Sequence, residues 1–196
     1  MYRLVNKYLN FKNAFFFLSL LLLILLPLLS LDAGISGDEE LHYSQSEKVI
    51  NYLESWGKDK SALHTPKTHL KYYGQFFDNI TTIVIKWLNI EDIYQFRHIA
   101  NSIAGCGTIF LSGLLAAFLA GYRAGFLTLF LFLVSSRFLG HTWNNLKDIP
   151  FALGYIATIY FIFLFIKKLP KLSMKHVSLL TLGLAFTFGI RAGGFI

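Results

Sequence analysis

Charge is scarce in this sequence. Asp, Glu, Lys and Arg together make up 15% of its 196 residues, against about 25% in soluble domains. With 55% of the chain hydrophobic and 20 phenylalanines, the composition excludes an ordinary water-soluble domain and points to an integral membrane protein. Cysteine is nearly absent too. Cys106 stands alone in an apolar run, so the chain has no intramolecular disulfide and no Cys/His metal-finger spacing. It reads as a small buried hydrophobe. Acids are missing from the middle of every long apolar run, where an ion-coupled transporter usually keeps them. The formal net charge is +7, which in a soluble protein suggests a nucleic-acid partner. Here the basic residues flank apolar runs, so topology accounts for them and no nucleic acid is expected.

A helix needs about 20 apolar residues to cross a bilayer. Five segments approach that length: Ala14–Leu31, then about 99–120, 124–139, 149–166 and 177–196. The expected fold is therefore all-α, a polytopic transmembrane bundle of about five spans with a large outer loop over residues 32–97. The first apolar core is longer than the roughly 7–15 residues of a signal peptide and has no small-x-small cleavage site, so it reads as an uncleaved anchor. Orientation follows the positive-inside rule. Arg3, Lys7, Lys12, Arg123, Lys167, Lys168, Lys171 and Lys175 fall on the N-terminal side of an alternating five-span path, whereas the short opposite loop carries only Lys147. The N-terminus is expected in the cytoplasm.

All the acids then lie on the opposite, outer side. Ten of the eleven fall between Asp32 and Asp92, and the last is Asp148. The tightest group is "GDEELHY", with Asp38, Glu39 and Glu40 followed by His42. The outer loop also carries helical signals. Val49, Leu53 and Trp56 follow an i, i+4, i+7 spacing, with Ser44 or Ser46 as a cap and Gly57 as a stop. Leu70, Tyr73, Phe77, Ile80, Val84 and Trp87 form one stripe, which predicts a single amphipathic helix over 67–87. It is too polar to cross, so it should lie along the interface or on the other helices. Asn89 is the expected cap of the next helix, with Glu91 and Asp92 in its first turn.

Several of these residues can carry chemistry at the outer surface. Asp38 and Glu39 follow the first span so closely that they must stay near the membrane. Asp148 stands before Ile149-Pro150, where it can cap a helix or join Asp38 in one outer cavity. Two such carboxylates supply a general base and an orienting group, or two metal ligands. Arg97, Arg137, His141, Lys147 and Arg191 supply positive charge at the same level, and His42 lies beside the acids. An arginine within a membrane is expensive and should be paired or functional, although snorkelling to the surface is a sufficient alternative. Carboxylates beside membrane-level cations suit a lipid-phosphate substrate with an uncharged group to transfer. A polyprenyl-phosphate sugar meets that description, with the base deprotonating an acceptor hydroxyl and the cations stabilising the departing phosphate.

The motifs "GDEELHY", "LKYYGQFFD", "RHIANSIAG" and "NNLKDIPFALGY" resemble the N-terminal part of the GT-C superfamily of membrane glycosyltransferases. The branch they resemble contains the protein O-mannosyltransferases, the lipid A aminoarabinose transferases and the Rgt-type transferases of bacterial lipopolysaccharide. The resemblance implies Asp38 as catalytic base, Glu39 as the second member of the acidic pair and Asp148 as a further acidic site residue. The substrate-binding candidates, from their place near the outer face, are His42, Arg97, Arg137, His141, Lys147 and Arg191. A divalent metal on Asp38 and Asp148 is left open. The resemblance also implies a polyprenyl-phosphate sugar donor, a glycan, lipid or protein acceptor, and a place in the bacterial inner membrane. Members of this superfamily are longer, so the chain is expected to be a fragment with little activity of its own. A transporter subunit and a non-catalytic membrane assembly protein are the competing readings.

Overall fold

The computed structural model of the protein describes residues 10–65, 69–171 and 173–191. Among them there are helices and turns but no strand. Helix α1 covers Phe11–Leu29, α2 Glu39–Glu54, α3 Phe76–Leu88, α4 Ile93–Ala120, α5 Tyr122–Val134, α6 Ser136–Asn144, α7 Asp148–Lys167 and α8 Met174–Ile190. Phe11–Asp32, Ile93–Ala120 and Asp148–Lys167 are long and apolar enough to cross a membrane. A fourth crossing exists if α5 and α6, bent by 76° at Ser135, are one span. Helix α8 is apolar but shorter, and residues 192–196 of the expected fifth span lie outside the described residues, as do Arg3 and Lys7.

Elementary signals start and stop these helices. The Asn10 side chain accepts from the N–H groups of Lys12 and Asn13, capping α1. Gly121, at φ 83°, turns the chain from α4 into α5 in a conformation that glycine adopts without steric cost. Ser135 Oγ accepts from Phe138 N–H at 3.4 Å, which starts α6 in a new direction. That break divides the apolar run expected to be a single span over 124–139.

Four local expectations are corrected. Helix α2 starts at Glu39, not at Ser44 or Ser46, so Glu39 and Glu40 occupy the first turn, where the helix dipole favours acids. Ser46 is buried instead, 2.9 Å from Asn79 Oδ1 and 2.8 Å from Thr82 Oγ1. The stripe over 67–87 is not one helix. Leu70–Tyr72 form a 3-10 turn, Tyr73 is extended, and α3 begins at Phe76. Tertiary contacts impose this break: the Gly74 carbonyl accepts from Lys147 Nζ at 2.7 Å, and a Cβ on Gly74 would collide with the Gly189 carbonyl of α8. Asn89 does not cap the next helix but ends α3 in the left-handed conformation, φ 50°. The cap of α4 is Asp92, which accepts from Gln95 N–H. Asp148 is not a cap either, because Asn145 Oδ1 takes the Asp148 N–H at 2.8 Å.

The core joins α1, α4 and α5 through Phe15, Leu22, Leu26, Cys106, Ile109 and Leu129. Helices α7 and α8 pack through small residues. A Cβ on Gly154 would lie 2.7 Å from Thr187 Oγ1, and Thr158 Oγ1 is 3.3 Å from Thr187 Oγ1. Such close approach is how apolar helices gain contact without a hydrophobic driving force between them. The chain reverses repeatedly, so one end of the bundle gathers the start of α2, the starts of α4 and α7, and the ends of α6 and α8. The opposite end is basic, with Lys12 over Tyr122, Arg123 over Phe11 and Lys167 over Phe118.

Helix α3 has inverted polarity. Its buried face is Asp78, Thr81, Thr82 and Ile85, and its exposed face is Phe76, Ile80, Ile83, Trp87 and Leu88. In water the apolar stripe would turn inward. Here the inward face is polar because it hydrogen-bonds Ser46 of α2 and Arg97 of α4. The outward stripe starts beside α8, where the Phe76 and Phe186 rings meet at 5.6 Å.

Candidate functional site at the acidic end of the bundle

The acidic end holds an open cavity of about 620 Å³, within the roughly 300–1,000 Å³ range of small-molecule sites. Asp38, His42, His141, Lys147, Asp148 and Arg191 all line it. The structure therefore brings together Asp38 and Asp148, which are far apart in sequence. Ser36 ties the post-α1 strand of chain to α6 through the Asn144 carbonyl, and Asn144 Nδ2 donates back to the Gly34 carbonyl at 3.1 Å.

Asp38 and Glu39, adjacent in sequence, have different environments. Asp38 is exposed at the rim. Glu39 is buried, with both carboxylate oxygens 3.1–3.2 Å from His98 Nε2. One position earlier on α4, Arg97 is 0% exposed and bonds Asp78 Oδ1 at 2.7 Å, with Asp78 2% exposed. Arg97 also donates to Thr81 Oγ1 at 3.2 Å and stands over the Tyr43 ring. Two consecutive residues of α4 thus clamp two separate helices, Arg97 holding α3 and His98 holding α2. Both pairs carry charge or a buried polar partner out of water, so each is costly to break from one side. Glu39 and Arg97 touch the cavity; the Glu39 carboxylate and both terminal nitrogens of Arg97 are engaged by these clamps, while Arg97 Nε has no partner.

Asp148 and Arg191 form the opposite wall, with Asp148 Oδ1 2.6 Å from Arg191 Nη2. Asn145 Nδ2 donates to the other oxygen, Oδ2, at 3.0 Å and also lies 3.0 Å from His141 Nδ1. Arg191 stands over the Phe151 ring and its Nε has no partner. Both side chains remain about half exposed, 41% for Arg191 and 54% for Asp148. The arginine can therefore accept an anion while staying anchored.

Between the two walls sit Lys147 and His42. Burial pushes the Lys147 ammonium below its usual range, with Arg191 adding to the shift and Asp78 and Asp148 opposing it. Its ammonium is held by the Gly74 carbonyl and lies over the Tyr73 ring at 5.3 Å. His42 is likewise pushed down, mainly by burial, with Lys147 and Arg97 adding to the shift and Asp78 and Asp38 opposing it. Its Nδ1 has no partner, so a neutral imidazole stands free to take or give a hydrogen bond at neutral pH.

Arg137 is not brought to this place. It is exposed near the start of α6 and does not line the cavity. Among the lining residues that the sequence reading does not offer as site candidates are His69, Tyr73 and Asn145. The "NN" before Lys147 was a readable cap signal. Nothing in the sequence places His69 or Tyr73 here, because the continuous stripe predicts a helix where the chain bends. Among the described residues no three of His, Cys, Asp and Glu gather as metal ligands. Asp148 already bonds Arg191 through one oxygen and Asn145 through the other. No family model, no curated protein and no solved structure matches this chain.

Proposed function

We propose that the chain is part of a GT-C-type membrane glycosyltransferase that moves a sugar from a polyprenyl-phosphate donor to an acceptor hydroxyl. In the proposed topology the bent pair α5–α6 and α8 also cross the membrane. That makes five crossings, with the N-terminus cytoplasmic and the cavity on the outer face of a bacterial inner membrane. The observation that carries the reading is the composition of the cavity: an exposed carboxylate, Asp38, on one wall and two cations, Lys147 and Arg191, on the others. The outward apolar stripe of α3 supports lipid contact beside that cavity.

Each residue then has a role set by its surroundings. Asp38 takes the proton of the acceptor hydroxyl as its oxygen bonds the anomeric carbon. The bond from that carbon to the phosphate oxygen breaks, and the electron pair leaves with the phosphate. Lys147 and Arg191 meet the developing charge, which is worth more in a partly dry site than in water. Asp148 and Asn145 orient Arg191, and the neutral His42 hydrogen-bonds the sugar. Glu39, His98, Arg97 and Asp78 hold the loop that carries Asp38.

The test is sugar transfer from a panel of polyprenyl-phosphate hexoses and pentoses in membranes containing the natural full-length gene product that carries this sequence, which is the wild type of this comparison. Replacing Asp38 with Asn should lower turnover by about 100- to 10,000-fold, the usual contribution of a general base, with the bundle still folded. Turnover unchanged in Asp38→Asn, or no transfer from any donor by the wild type, rejects the assignment.

A further inference from the structure

A second cavity, of about 280 Å³, lies behind the first, between α2, the turn Ser61–Leu63 and the segment leading into α3. Leu70 and Tyr73 line both cavities and form the wall between them. The walls of the second carry two aromatic rings, Tyr52 and Tyr73, with aliphatic Val49 and Leu63. The polar group of interest there is Gln75. It is 6% exposed, and neither its amide nitrogen nor its amide oxygen has a hydrogen-bond partner. It sits at the N-cap position of α3 without using its side chain to cap the helix.

A buried amide with no partner forfeits the hydrogen bonds it made to water, and native structures rarely leave one so. An external ligand that both donates and accepts resolves the deficit. Among the described residues no acid lines the cavity, and the one cation that does, Lys71, is an exposed residue stacked over Tyr72. The lining thus selects for a neutral ring with hydroxyls on its edge and C–H groups on its face, since the hydroxyls suit a primary amide and the C–H face suits tyrosine. The backbone next to Gln75 is fixed on the other side. Gly74 is held by Lys147 and packed on Gly189, and Tyr73 carries the Lys147 ammonium on its ring. A ligand in the second cavity therefore shares a wall with the cation of the first.

We infer that this second cavity is a saccharide subsite for the acceptor, holding a neutral sugar unit adjacent to the hydroxyl that enters the first cavity. The inference rests on the transferase reading. Its volume, about 280 Å³, lies just below the roughly 300–1,000 Å³ range of small-molecule sites and suits a single monosaccharide unit.

The experiment uses the 196-residue chain in phosphatidylglycerol nanodiscs, which contain no sugar headgroups. Saturation-transfer NMR reads binding of neutral methyl glycosides of gluco, galacto and manno configuration. At least one should bind the wild type and Asp38→Asn alike. Gln75→Leu should weaken it about tenfold, the factor for losing one well-made polar pair, and Val49→Phe should block it by filling the space while leaving Gln75 intact. Retained helix content by circular dichroism checks that each variant folds. If no glycoside binds the wild type, or if both variants bind as it does, the subsite is overturned. Sugar transfer that depends on Asp38 without glycoside binding would remove the subsite and leave the transferase reading. Glycoside binding lost in both variants, with no sugar transfer by the natural full-length gene product, would keep the pocket's specificity and remove the transferase reading.

Discussion

Replacing Asp78 with Ala probes the clamp that holds the outer loop on the bundle. The substitution leaves Arg97, with 0% exposure, as a buried guanidinium. Its remaining partners are the Thr81 hydroxyl at 3.2 Å and the face of Tyr43. Neither carries a compensating charge. Breaking a buried pair from one side costs about 3–5 kcal/mol, and the near-complete burial of both groups places Asp78→Ala in that range. Asp78→Asn keeps one oxygen for the 2.7 Å bond but removes the charge, so about half of that cost should remain. The double change Asp78→Leu, Arg97→Met removes both charges and keeps the volume, and should recover to within about 1 kcal/mol of the wild type, as such replacements often do. The assay is unfolding by SDS titration in mixed micelles, read by far-ultraviolet circular dichroism, with all four proteins compared at one lipid-to-detergent ratio. Asp78→Ala unfolding within about 1 kcal/mol of the wild type, or the double variant being the least stable of the four, would refute the clamp: a pair that weak would have to be solvated rather than buried.

Other outcomes follow from the same geometry. Glu39→Ala should cost about 1.5–3 kcal/mol, the range for a hydrogen bond to a charged group. Asp38→Asn, at an exposed position, should cost no more than about 0.5 kcal/mol; the same titration separates them, and the reverse order would contradict the assigned burial. A spin label on Ile83→Cys, in a Cys106→Ala background, should be more accessible to oxygen than to a water-soluble nickel reagent, because Ile83 lies on the outward apolar stripe; the opposite preference would place that stripe in water or under protein. Burial holds the His42 pKa below its ordinary value. The unfolded chain therefore binds this proton first as pH drops through about 6.5, and the folded state loses stability from there down to the lowered value, then levels off. His42→Asn should lack that loss, and a wild-type-minus-variant difference that is flat between about pH 5 and pH 7.5 would refute it.

The acidic pair shows how the site was only partly legible. Its position after α1 follows from chain length alone, and the convergence of Asp38 with Asp148 follows from alternation of the helices. The division of labour between Asp38 and Glu39 does not. Asp38 is the N-cap of α2 and Glu39 its first helical residue, so the helix start turns Glu39 toward α4 and leaves Asp38 at the rim. The same applies to Arg97. As an isolated residue at a span end it fits snorkelling as well as anion binding, and only the position of Asp78 on a different helix decides between them. Arg137 failed for the converse reason: the bend at Ser135 redirects the helix that a straight span would have aimed at the cavity.

What the amino-acid order determined by itself is whatever depends on hydropathy over a window or on residues close along the chain. That includes the apolar helices and the confinement of the acids to residues 32–92 and Asp148. What the tertiary structure decided is which face of each helix is buried. For α3 the two-faced pattern holds from Phe76 onward, and its polar side is the one that turns inward, because Ser46 and Arg97 on neighbouring helices offer it hydrogen bonds. Periodicity records that a helix has two unlike faces. Which one turns inward depends on partners far away in sequence and on what surrounds the fold, and neither is written in the local spacing.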